Sequence, residues 1–166
     1  MVQITVEYMI LIPVLVLILF LFPFAVSSIM EPWVESRRTL ELQGAASHLG
    51  SAIQQVYYSL NHTSIQAGTL TSKLDIPLFV DGYWFNGTAT IRDTLNPALD
   101  PTQVLDIQLR IITLGISTNT SVTLGQNVVW NNSFFLSNAT SGVHAPILTA
   151  EKLSNGTVRL FFGVVN

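Results

Sequence analysis

From Met9 to Met30 the chain reads MILIPVLVLILFLFPFAVSSIM, an unbroken run without a charged side chain. A helix crosses a hydrocarbon core of about 30 Å with about 20 such residues, so this run is long enough to span a membrane. Glu7 and Tyr8 precede it, and Glu31, Glu35, Arg37 and Arg38 follow it. Beyond those charges the pattern stays helical. Leu42, Ala45, Leu49, Ala52, Ile53, Val56 and Leu60 recur at spacings of three and four, a narrow apolar stripe. Gly44, Ala46, Ser47, Gly50 and Ser51 keep the segment thin, which lets helices approach one another closely. The pattern predicts one long helix over residues 1–62, apolar in its first half and amphipathic in its second, ended by Asn61-His62-Thr63. Other copies of the chain are the expected partner of the stripe at Leu42 and Leu49, and the chain's own sheet at Ile53, Val56 and Leu60. Pro13 and Pro23 each remove a backbone donor, so kinks or melted turns are expected there.

From Leu70 onward the period of the apolar positions changes from 3.6 to 2. Strands are predicted at Lys73–Ile76, Tyr83–Ile91, Val104–Leu114, Ser121–Leu124, Val128–Trp130, Phe134–Leu136, Ile147–Leu153 and Thr157–Val165. The clearest alternation sets Leu105, Ile107, Leu109 and Ile111 inward against Asp106, Gln108 and Arg110 outward, the mark of a half-buried strand. Asn155-Gly156 between two apolar runs is a strong hairpin signal, and Val158, Leu160, Phe162 and Val164 supply the inward face that follows. Short strands separated by turn signals imply a sandwich or small barrel over residues 63–166, so the fold class is α+β.

Composition adds location. Charged residues are 10% of the chain, whereas serine and threonine number 30 and asparagine 10, so the polar surface is made of hydroxyls and amides. Six asparagines stand in Asn-x-Ser/Thr: Asn61, Asn86, Asn119, Asn131, Asn138 and Asn155. Chance would place roughly two of them there, so N-linked glycans on an extracytoplasmic head are expected, solubilising a surface poor in charge. Arg37 and Arg38 lie after the apolar run and by the positive-inside tendency would hold the head in the cytoplasm. The sequons outweigh them here, and a short basic leader ahead of Met1 is expected. No basic segment precedes the run and no small-residue cleavage site suits a secretory signal peptide, so the helix is expected to be retained. Seven lysines and arginines against a net charge of -3 leave no basic stripe for nucleic acid. The absence of cysteine removes disulfides and thiolate metal sites.

Gln3-x-Thr5-x-Glu7-Tyr8, followed at once by the apolar run, resembles the processing site of archaeal type IV pilins with a class III leader, whose pattern is Gln-x-Ser-x-Glu-(Tyr/Phe). Thr5 replaces the serine, and Met1-Val2 lack the basic residues such leaders carry. The resemblance implies cleavage before Gln3 by a prepilin peptidase, insertion in the cytoplasmic membrane before assembly, and an extracellular filament built by pilus assembly machinery. Apolar helices of many copies would pack at its centre, with Ig-like β-sandwich heads outside. Pro13 and Pro23 fit this family, and Lys73-Leu74-Asp75-Ile76-Pro77 with Asp81-Gly82-Tyr83-Trp84 looks like the start of its heads. Glu7 beside a hydrocarbon core asks for a partner, which the free amine of a neighbouring subunit would supply; a helix N-terminus favours a carboxylate as well. The assembly residues are thus expected to be Gln3, Glu7, Tyr8, Pro13, Pro23, Leu42 and Leu49.

Chemistry is sparse. No nucleophile elbow, zinc-protease helix, Walker loop or dinucleotide fingerprint occurs. His48 and His62 stand about 21 Å apart on a helix, too far to share a metal, and Asp75, Asp81, Asp93 and Asp100 fall in turn-prone segments that favour aspartate. Trp33 is expected at an interface, Trp84 and Trp130 in the core or against sugar. The expected function is structural, with no enzyme activity, metal or cofactor beyond glycans: a filament subunit whose head serves adhesion. The alternative is a single-pass membrane-anchored glycoprotein that binds an envelope or archaellum component.

Overall fold

A computed structural model describes the backbone of residues 2–94, 102–131, 135–136 and 146–164. One helix, α1 (Val2–Leu60), is followed by β1 (Gly68–Lys73), β2 (Asn86–Asp93), β3 (Gln103–Ile111), β4 (Ile116–Leu124), β5 (Val128–Trp130), β6 (Phe135–Leu136), β7 (Pro146–Lys152) and β8 (Val158–Val164). The layout is α+β. Packing divides the chain into two units, Met1–Arg37 and Arg38–Asn166. The boundary expected at residue 62 followed the end of the helix. The observed one falls inside α1, because the helix from Leu42 onward is buried with the strands.

In the first unit α1 runs without interruption through Pro13, Pro23 and Pro32. No turn is melted, although each proline deprives the carbonyl four residues before it of a helical partner. In the second unit two four-stranded sheets, ordered β1-β7-β8-β5 and β4-β3-β2-β6, share one core with α1. The β4-β3-β2-β6 sheet is antiparallel throughout, whereas β5 runs parallel to β8 at the edge of the other. Leu105, Ile107, Leu109 and Ile111 of β3 point into the core as their alternation requires, joined by Leu148 and Ala150 of β7 and Val158, Leu160 and Phe162 of β8.

The helix contributes Leu42, Ala45, Ala46, Leu49, Ile53, Val56, Tyr57 and Leu60 to this core. Leu42 and Leu49 are fully buried in the core cluster of the head itself, which corrects their assignment to contacts between copies. At Gly50 the helix lies close against the sheet. A Cβ there would stand 2.8 Å from Val122 Cγ2 and 3.9 Å from Ile107 Cδ1. Tyr57 is buried next to Gly125, where a Cβ would collide with its hydroxyl. That hydroxyl accepts the amide N–H of Asn61 at 2.8 Å. The first turn beyond the helix is held by Lys152, 8% exposed, whose ammonium donates to the carbonyl of His62 at 3.1 Å.

The strands differ from expectation in several places: β2 begins at Asn86 and not at Tyr83, and β3 ends at Ile111, with residues 112–114 in the turn that follows. β1 lies at Gly68–Lys73, not at Lys73–Ile76, where Leu74 and Ile76 are buried without a ladder ahead of Pro77. β4 begins at Ile116, five residues earlier than predicted. The turn between β3 and β4 closes with Gly115 at φ 70°, its N–H donating to the carbonyl of Ile111 at 3.0 Å. The Asn155-Gly156 signal produces the β7–β8 hairpin, with Gly156 at φ 83°. A second tight turn, Val80-Asp81-Gly82-Tyr83, has positive φ at both central residues and mutual Val80–Tyr83 backbone hydrogen bonds of 2.9 Å.

Candidate functional site

Each assembly residue named from the sequence lies in α1, but the helix treats them differently. Sixteen large apolar side chains between Met9 and Met30 are exposed, each by 45–77%. They leave no direction of the helix polar: Leu11, Ile12, Leu15, Leu17, Ile18 and Leu19 are all open. A helix apolar on every side belongs inside something, lipid or protein. It is long and apolar enough to cross a membrane, and its most apolar stretch is uncovered among the described residues. Tyr8 and Trp33, 60% and 75% exposed, bracket the run. Their separation along the axis is about 37 Å, close to a hydrocarbon core with part of both headgroup layers, where tyrosine and tryptophan concentrate.

Pro13 and Pro23 stand inside this bare stretch. Gln3 and Glu7 fall within the helical backbone, and their side chains lie outside the described residues. The second half of α1 is the opposite case, since its apolar stripe is spent on the head. Its outward positions, including Gly44, Ser47, His48 and Ser51, are exposed, with Leu40 and Tyr58 as the large apolar residues among them.

Arg38, a flanking charge in the sequence, is engaged by the head. Its Nε donates to Asp81 Oδ2 at 2.6 Å and its guanidinium lies 5.2 Å from the Tyr83 ring centre. The Asp81-Gly82 turn is what brings that carboxylate and ring together. Neither pattern nor spacing named this contact, although Asp-Gly between apolar residues is a tight-turn signal.

The sequons separate by environment. Asn61, Asn119, Asn131 and Asn155 are exposed; Asn86 is half-buried in β2, paired on both sides; Asn138 lies outside the described residues. Asn155 Oδ1 accepts the Thr157 N–H at 3.0 Å in the β7–β8 turn.

The titratable residues considered for chemistry are scattered. His48 and His62 are exposed, with His62 Nδ1 at 2.7 Å from Ser64 Oγ. Asp81 is held by Arg38, Asp93 accepts from Gln103 Nε2 at 3.2 Å, and Asp75 is exposed. Asp100 lies outside the described residues, as does the third histidine of the chain, His144. Burial pushes the Tyr57 hydroxyl above the usual tyrosine value, and its hydrogen bond with the Gly125 backbone opposes that rise. Trp33 is exposed, Trp84 half-buried, and Trp130 packs in the core edge-to-face on Phe162 at 4.9 Å.

Comparison with protein-family models, with curated proteins and with solved structures returned no match.

Proposed function

We propose that the chain is the structural subunit of an archaeal type IV pilus-like filament, polymerised through the first half of α1. The observation that carries the reading is the bare apolar stretch Met9–Met30 placed directly after Gln3-x-Thr5-x-Glu7-Tyr8. Fully burying a Leu, Ile or Phe side chain is worth about 1.5–3 kcal/mol. At the exposures seen, sixteen such side chains leave on the order of 20 kcal/mol of burial unrealised. Contact with copies in a helical array realises it, and a fixed rotation that does not close yields an open filament.

In this reading the chain waits in the cytoplasmic membrane, loses its leader to a prepilin peptidase before Gln3, and is drawn by assembly machinery into an extracellular filament. The two sheets form an Ig-like sandwich that carries glycans and mediates adhesion. Glu7 pairs with the new amine of a neighbour.

Negative-stain microscopy of cells expressing the chain tests this. Filaments are expected from the parent and none from Glu7→Ala, with the variant retained in membranes. A parent chain that stays monomeric in the bilayer overturns the proposal and leaves a membrane-anchored glycoprotein. Leu42→Asp does not serve as a test, because it would place a charge in the head's core.

A further inference from the structure

The outward face of the antiparallel sheet carries a hollow of about 490 Å³, lined by Ile107, Thr120 and six outward-facing residues, Thr88, Thr90, Asp106, Gln108, Asn119 and Ser121. Strand register places these six side chains in two rows. Thr88, Gln108 and Asn119 are directly opposed across β2, β3 and β4, and Thr90, Asp106 and Ser121 form the row beside them. Because successive residues of a strand alternate faces, all six point to the same side. These six side chains bring hydroxyls, two amides and one carboxylate to it. That carboxylate is held by Arg92, whose Nε donates to Asp106 Oδ2 at 2.5 Å. The lining has no aromatic ring and no cation.

We infer that this hollow is a saccharide cradle, filled by the glycan attached to Asn119. The inference rests on the proposed exposure of the head to glycosylation. Short neutral donors and acceptors in register match the hydroxyls of a sugar, and the apolar part of the lining suits the C–H faces of its rings, whereas a phosphate would find no free cation in the lining. The attachment point is built in: Asn119-Thr120-Ser121 is a sequon, Asn119 is exposed, and β4 is the edge of its sheet. From β4 across β3 to β2 is about 10 Å, the reach of a short oligosaccharide lying over Gln108 and Thr88.

Tethering decides between this occupant and a foreign sugar. Hydrogen bonds made in competition with water bring little net gain, too little to hold a free saccharide that must also give up its translational freedom. A sugar joined to Asn119 is already present at an effective concentration in the millimolar range or above.

The test uses the full-length chain purified from membranes in detergent. Site-resolved mass spectrometry follows release of each glycan by an amidase under folded conditions, with Asn155 as the internal control in an exposed turn. The Asn119 glycan is expected to be released at least tenfold more slowly than that of Asn155. In Thr90→Val/Gln108→Leu the two rates are expected to converge. Equal rates in the parent overturn the inference, and that comparison stands even if the double variant fails to fold.

An unmodified Asn119 beside occupied neighbouring sequons also overturns it, while leaving polymerisation untouched. The oligosaccharide released from the chain is also added in solution to Asn119→Gln. No shift of the Gln108 amide resonance is expected. A saturable shift overturns the tethered occupant and makes the hollow a receptor for foreign sugar. Filaments are scored separately, so loss of the filament reading and loss of the cradle appear in different measurements.

Discussion

Two glycines of α1 permit a test of which face of the helix the head uses. Gly44 and Gly50 both lie in the second half of α1, and replacing either by alanine removes the backbone freedom that disfavours glycine in a helix, a gain of about 0.5–1 kcal/mol. At Gly44 nothing stands within 4 Å of the new Cβ, so the whole gain should appear. At Gly50 the Cβ would stand 2.8 Å from Val122 Cγ2. Val122 is stiff at its only side-chain torsion and is itself buried, so the methyl can be admitted only by moving helix from sheet. Overpacking of this kind costs about 1–3 kcal/mol. The helix-propensity gain is common to both variants and cancels in their difference, which is therefore the overpacking cost alone. For a unit of this size a kilocalorie shifts the melting temperature by about 3–6 °C. Gly44→Ala is expected to melt a few degrees above the parent, and Gly50→Ala between about 3 and 18 °C below Gly44→Ala. Near-UV circular dichroism of the full chain in detergent reads this through the Trp130–Phe162 pair. Equal shifts for the two variants, within a degree, would refute the docking of this face on β4.

Leu49→Ala is expected to destabilise the head by about 2–5 kcal/mol in the same melt, because Leu49 is fully enclosed by the chain itself; an unchanged melt accompanied by lost filaments would return Leu49 to an interface between copies. The raised Tyr57 pKa sets an alkaline limit. The folded state holds this proton more tightly than the unfolded chain, so the contribution is complete below the unfolded value near pH 10 and is lost as pH rises through the folded value. The urea midpoint should therefore hold level with respect to Tyr57 up to about pH 9 and fall above about pH 10, with a smaller alkaline fall in Tyr57→Phe. An identical alkaline slope in the two proteins would remove Tyr57 as the cause.

What the pattern of side chains disclosed followed from the strength of each local signal. β3 was legible because four apolar residues alternate with three polar ones, and the β7–β8 hairpin because Asn-Gly suits positive φ. β1 escaped because Gly68-Thr69-Leu70-Thr71-Ser72-Lys73 holds one large apolar residue, and its alternate positions are only half-buried. The first half of β4 escaped for the same reason, its residues Ser117 to Thr120 being small and polar. Leu42 and Leu49 were correctly placed on the apolar stripe and wrongly given to another copy. Spacing reveals which face of a helix leaves water but not whose atoms cover it, since burial of apolar surface is non-directional. Tyr57 had no signal of its own: the partner that encloses its hydroxyl, Gly125, is 68 residues away and silent in any periodicity.

The division of α1 explains why its two halves impose different demands. The second half meets its apolar requirement inside the chain, through Leu42, Leu49, Ile53 and Leu60. The first half has no such partner among the described residues, and its sixteen exposed large side chains are satisfied equally well by acyl chains or by the same residues of another copy. Within a bilayer, then, apolar burial alone gives little reason to associate, and the proposed filament cannot be driven there by the hydrophobic effect. The drive appears only when the helix is withdrawn toward water, where uncovered surface costs on the order of 20 kcal/mol and a neighbouring helix is the available cover. Extraction and docking must therefore be a single coupled step. In the proposed filament the selection of the right neighbour would be polar: a carboxylate at the hydrocarbon edge, as proposed for Glu7, would gain a partner only when the incoming helix is in register.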